Sequence, residues 1–340
     1  MFFIGTMQMN KGQEKKLWFI LLSTLSLVFA YYSLTFFWGN HDWDWIKGTT
    51  QVLNLNTGMF EGRYSKFILN VALFGGQILP VINTLTAFAL LALGGVFLVK
   101  YWQIKDFYAQ IIVALLPLLA PFILGWLYFP INILGNFSAV ALVTGGLCLS
   151  EKKTIYKIAA VICWLIALGV YPSVMEMIII CFCYRYILKS ATFSEIIKKA
   201  IPIFVALILF KTLLWGLGKL EWIAEDYYNL KTVTLTELLK RFPQMVELAF
   251  SQLITTLPFL NINLKALELI AIILALITSI CNIKTFALWV VAFFATILST
   301  WLTGTPEETA YMPRINFYGL NFFYAGSVAA LLYKKIGYEI

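Results

Sequence analysis

Apolar runs separated by short polar or basic joints dominate the chain. The first spans Leu17 to Phe37, behind Lys11, Lys15 and Lys16. Others follow at Ile82–Val99, Ala109–Tyr128, Ile133–Leu149, Ile155–Val170, Ser173–Leu188, Ile201–Leu217, Leu264–Cys281, Thr285–Leu302 and Phe317–Tyr333. Each approaches the ~20 residues that an α-helix needs to cross a bilayer, and the shorter ones require tilt or local thinning. Val28-Phe29-Ala30 matches a signal-peptidase site, but the apolar run continues past it and many more follow, so the run reads as an uncleaved first helix.

Between these runs the pattern changes twice. Phe67–Pro80 is apolar but broken by Gly75-Gly76 and Pro80, which predicts a juxtamembrane or re-entrant helix. The segment 218–263 carries Leu235, Leu238, Leu239, Phe242, Val246 and Leu248 at helical spacing, with Thr234 and Glu237 forming a capping box ahead of them. That pattern predicts an amphipathic helix lying on a membrane surface, with Pro258 ending or kinking its continuation. The fold expected is an all-α polytopic membrane protein of about ten transmembrane helices in one integral membrane domain over residues 1–340, with outer loops at 38–66, 218–263 and 303–316.

Composition agrees: 61% of the residues are hydrophobic, 12% are charged and the mean hydropathy is +0.84, too little polar surface to clothe a soluble globule. The +8 net charge has no basic run to suggest nucleic acid, because Lys and Arg mark the joints between apolar segments. With the N-terminus inside, fifteen basic residues fall on the inner side and nine on the outer, with Lys211 left inside a span. Both termini are then cytoplasmic. Ten acidic residues, including Asp42, Asp44, Glu61, Glu307 and Glu308, land outside, which directs the search for chemistry there. The five cysteines sit in or at the ends of apolar segments without a metal or CxxC spacing, and read as small buried apolar residues.

One outer stretch concentrates chemistry: Trp38-Gly-Asn-His-Asp-Trp-Asp-Trp-Ile46, then Phe60-Glu-Gly-Arg-Tyr-Ser-Lys66. Asp42 and Asp44 point to one face if the loop is extended, and their repulsion would raise one pKa toward that of a working base. Trp38, Trp43 and Trp45 suit either an interfacial aromatic belt or stacking against a sugar ring or lipid head group, and Tyr64 is a further candidate for sugar or lipid contact. Arg63 beside Gly62 is built to grip a phosphate, as is Arg314 in the last outer loop, while Lys66 fits a snorkelling anchor as well as a phosphate contact. Inside apolar segments, Glu176 and Lys211 either line one cavity, or even pair, or Lys211 snorkels. The lone His41 makes no metal site, and the Asn136-Phe-Ser138 sequon lies at a helix end without room for modification.

Together these features resemble a known family. The loop-one acidic pair with tryptophan, Gly62-Arg63, a Tyr171-Pro172 turn between two short helices and Arg314 look like the GtrII-type membrane glucosyltransferases of the GT-C superfamily. The resemblance implies a GT-C-like fold in the bacterial cytoplasmic membrane. It further implies transfer of one sugar, typically glucose, from a polyprenyl-phosphate carrier to a surface polysaccharide such as O-antigen on the outer face. Asp42 or Asp44 would be the base, and Arg63 and Arg314, with Lys66 and Lys211 as further candidates, would hold the donor phosphate. Glu176 would join the sugar or lipid contacts. In that family the two acids are often adjacent, whereas here Trp43 separates them, so one carboxylate or both take part. No cofactor is required, although an acidic pair could recruit Mg²⁺ or Mn²⁺ through the phosphate. Expected partners are the lipid-linked donor, a glycan acceptor and membrane lipid, with a flippase and a donor synthase upstream. The competing class is a non-enzymatic transporter or flippase of lipid-linked sugars; charge gathered on the outer side, with little inside the membrane, argues against a path joining both faces.

Overall fold

A computed structural model describes residues 9–30, 80–119, 127, 130–189, 191–220, 235–251, 265–280, 282–298 and 318–335, with single positions at 65 and 69. Eleven α-helices and no strands occur among the described residues: α1 Lys11–Val28, α2 Pro80–Trp102, α3 Phe107–Leu118, α4 Pro130–Ser150, α5 Thr154–Val170, α6 Val174–Leu188, α7 Phe193–Lys219, α8 Leu235–Ser251, α9 Lys265–Ile280, α10 Ile283–Ala295 and α11 Tyr318–Lys335. Three of them are long and apolar enough to cross a membrane, at Val81–Trp102, Ile133–Ser150 and Phe193–Lys219. Each apolar run of the sequence carries a helix, and the surface pattern at 235–251 carries α8.

Local chemistry sets several boundaries more sharply than hydropathy does. α1 starts at Lys11, before the apolar run, because Asn10 accepts a hydrogen bond from the Gln13 amide at 2.8 Å while the Gln13 side chain accepts from the Asn10 amide at 3.3 Å. Asp106 caps α3 by accepting from the Ala109 amide at 2.7 Å. Helix α8 begins one residue after Thr234 and carries Pro243 in its interior. It buries Met245 and lays the Phe242 ring 5.4 Å from that of Phe294 on α10, leaving Glu237, Leu239, Lys240 and Glu247 exposed.

The most extensive described contact joins α2 to α4, and it depends on a missing side chain. A Cβ on Gly94 would stand 2.9 Å from Val140 Cγ1 and 3.2 Å from the Ala141 backbone nitrogen, so only glycine lets the two backbones approach this closely. Helix α6 lies at the centre, packed on α2, α4, α10 and α11, with most of its residues buried. By contrast, α7 turns Ile197, Ile201, Phe204, Ile208 and Trp215 outward, the exposed apolar stripe expected of a helix facing lipid.

Contacts along the bundle divide it into two ends. At one, Lys100 pairs with Glu14, the Lys16 ammonium lies 5.1 Å from the centre of the Phe107 ring, Lys284 donates to the Ala191 carbonyl and Lys199 pairs with Glu151 at 2.9 Å. This basic end therefore joins the start of α1, the end of α2, the α4–α5 joint and the starts of α3, α7 and α10. Leaving α8 aside, successive described helices alternate in direction away from it. The far end accordingly receives the end of α1, the start of α2, the α5–α6 turn and the start of α11.

Glu151 is the ionic hinge of the basic end. Burial raises its pKa, but the hydrogen bond and charge of Lys199, the Tyr186 hydroxyl at 2.9 Å and the Arg185 charge outweigh that and hold the carboxyl below its ordinary value. A depressed folded pKa adds stability above the unfolded value of about 4.3 and loses it as pH falls through the folded value. Lys199→Ala should therefore lower the melting temperature slightly near neutral pH, by less than about 1 kcal/mol equivalent for a pair this exposed. The difference from wild type should vanish in acid; a difference that persists there would place the effect in packing rather than in the ion pair.

Candidate functional site

At the far end the helices bury polar side chains that a purely structural apolar bundle would not need. Asn83 on α2, Asn136 on α4, Ser173 and Glu176 at the start of α6, Glu268 on α9 and Asn321 on α11 are all buried. Each costs free energy to remove from water unless satisfied, and ionisable groups among apolar helices mark functional positions more often than structural ones.

Glu176 is the most enclosed of these, with none of its surface exposed. The local sequence puts it there. α5 ends at Val170 with the Tyr171 amide donating to the Ala167 carbonyl at 3.1 Å, and Pro172 cannot extend that helix. The chain reverses and α6 opens at Ser173, whose carbonyl accepts from the Glu176 amide at 3.1 Å. Glu176 thus occupies the first turn, where the positive end of the helix dipole favours a carboxylate by about 0.3–1 kcal/mol, more when partly buried. Glu268 occupies the corresponding first turn of α9.

Helix α11 covers both acids. A Cβ at Gly319 would stand 2.6 Å from Glu176 Cβ and 2.9 Å from its Oε2, so glycine at this position is what lets α11 close over the carboxylate. Glu268 lies within electrostatic reach of Tyr324, further along α11. Two buried carboxylates, on two helices that each pack on α11, therefore flank that helix.

Of the residues singled out in the sequence, Asp42, Trp43, Asp44, Trp45, Arg63, Tyr64, Lys66 and Arg314 lie outside the described residues. Lys211 is exposed on the outward stripe of α7 with Ile208 and Trp215, while Glu176 is fully enclosed, so the pair considered for them is not formed. A snorkelling position suits Lys211. Cys181 and Cys183 are buried, Cys148 and Cys163 partly so, and all four are free thiols. Two ionisable residues escaped the sequence reading. Arg185 looks like a joint cation near the end of an apolar run, yet it is 3% exposed; Glu268 stands close to Lys265 and resembles a flank, yet it is 1% exposed.

Among the described residues the fold is all-helical, with three helices long and apolar enough to cross a membrane. No protein family, curated protein or solved structure matches the chain.

Proposed function

We propose that the chain is a multi-pass membrane glycosyltransferase of about ten spans, GT-C-like, working on the outer face of a bacterial cytoplasmic membrane with both termini cytoplasmic. It would move one sugar, glucose by the family resemblance, from a polyprenyl-phosphate carrier to a surface polysaccharide such as O-antigen. The observation that carries the reading is Glu176, a fully buried carboxylate closed over by Gly319 among apolar helices.

In the proposed reaction an acceptor hydroxyl oxygen bonds to the anomeric carbon as the bond from that carbon to the phosphate oxygen breaks. The hydroxyl proton passes to Asp42 or Asp44, and the bonding pair leaves with polyprenyl phosphate. Charge grows on the leaving phosphate, so Arg63 and Arg314 act where electrostatic stabilisation counts most. A lipid-linked donor also explains a sequence without a nucleotide-binding motif, in which Asp42-Trp-Asp44 fits a DxD pattern in spacing alone.

The test is direct. Purified protein in lipid, given polyprenyl-phosphoglucose and a glycan acceptor, should release polyprenyl phosphate only when acceptor is present. Arg314→Ala should raise the apparent KM for donor and lower kcat together, because its interaction strengthens in the transition state. Unchanged donor dependence would remove Arg314 from the site, and binding without release would leave the transporter reading in its place.

A further inference from the structure

A cavity of about 910 Å³ lies between α2, α4 and α6, with Cys163 of α5 on its wall, and reaches the basic end. Its two parts differ in chemistry. Towards the bundle interior the wall is hydrocarbon, with Leu90, Leu93, Phe97, Ala141 and Leu142. Towards the basic end it is cationic, with Lys100, Lys152, Arg185 and Lys189. The one carboxylate among the described lining residues, Glu151, is already held by Lys199 and the Tyr186 hydroxyl.

Arg185 is the informative residue. It is 3% exposed, lies 5.7 Å over the Tyr101 ring, and its Nε has no hydrogen-bond partner. The Tyr101 hydroxyl, on the same cavity wall and equally buried, also lacks a partner. Two side chains that line one cavity and keep unpartnered donors, with cations around them and no free carboxylate among the described lining residues, fit an anion rich in acceptor oxygens. The hydrocarbon wall beyond them fits a chain attached to that anion. A cavity of this size has room for a phosphate with an attached aliphatic chain.

We infer that this cavity binds a single-chain lipid phosphate, its phosphate on Arg185 and Tyr101 and its chain along α2 and α4. The site lies at the end opposite the proposed transfer chemistry and does not depend on it, since neither sugar nor acceptor enters the test. Native mass spectrometry of the full-length protein from neutral detergent would use dodecyl phosphate as ligand, dodecyl maltoside as the uncharged chain and inorganic phosphate as the chainless anion. One dodecyl phosphate should bind, inorganic phosphate at equal concentration should not displace it, and Arg185→Ala should weaken it about tenfold or more. Arg185→Lys should restore part of the loss.

Should Arg185→Ala fail to fold, the Lys152→Ala, Lys189→Ala double variant decides, because both residues are exposed and the affinity should still drop several-fold. Displacement by inorganic phosphate alone would overturn the lipid assignment. Equal occupancy by dodecyl maltoside, or full affinity in the variants, would overturn the phosphate site.

Discussion

Exchanging Asp42 and Asp44 together for asparagine should lower the acceptor-dependent release of polyprenyl phosphate by about 10²–10⁴-fold, the usual contribution of a general base. Asparagine keeps the size and the acceptor oxygen of each side chain but cannot take a proton, so donor binding should survive. The single variants separate the roles. If one aspartate is the base, its replacement alone should reproduce the double loss while the other costs little; if the pair shares a proton, each single change should cost nearly as much as both. Glu176→Gln is the necessary comparison. Its carboxylate is enclosed beneath Gly319 and sits at a helix N-terminus, both of which suit a positioning role. Full turnover in the loop variants with loss in Glu176→Gln would move the base from the loop to the buried carboxylate.

The helical elements were legible because hydrophobic runs of near-membrane length have few other solutions, and the Tyr171-Pro172 turn was legible because proline cannot extend α5. Helix starts were less so: hydropathy locates the apolar part of α1 from Leu17, whereas the Asn10–Gln13 box ahead of it sets where the helix begins. The buried charges were read only in part. Glu176 interrupts its apolar run and stands out. Arg185, three residues before the end of α6, looks like one more basic joint, and its burial is decided by Tyr101 on α2, far away in sequence. Glu268 follows Lys265 and is buried because α11 passes over the first turn of α9, which no local pattern encodes.

These charges also bear on the choice between transferase and transporter. A transport path needs polar groups along its length, and the described bundle instead separates them: carboxylates at the far end, Arg185 and the lysines at the basic end. Between the two ends stands the most tightly packed part of α6, where Cys181, Tyr184 and Trp102 are buried and the Trp102 indole donates to the Cys181 carbonyl at 2.9 Å. A passage would have to open this layer, so measuring its rigidity tests the architecture itself.

Gly326→Ala should destabilise that layer more than any other single added methyl. A Cβ there would stand 2.3 Å from Tyr184 Cδ2 and 2.4 Å from Cγ, well inside contact distance. The ring cannot yield cheaply. Its hydroxyl is hydrogen-bonded to Ser327 at 2.7 Å, and its ring packs at an angle against those of Trp102 and Phe323, with centroids 6.0 and 5.8 Å away. Overpacking of this kind costs about 1–3 kcal/mol and can cost more where backbone must move. Here α6 and α11 run parallel, Gly319 against Glu176 and Gly326 against Tyr184, so separating them at one glycine strains the contact at the other. Thermal unfolding followed with a thiol-reactive dye should report the change, since Cys181 and Cys183 are buried beside Tyr184 and label only when the layer opens. The variant should melt several degrees below wild type. Tyr184→Leu in the same background should recover part of the loss, because the smaller side chain vacates the space the new methyl needs, and the two changes should combine non-additively. Wild-type melting in Gly326→Ala would mean that the helices do not approach this closely, and that the central layer is loose enough for the transporter reading to regain its ground.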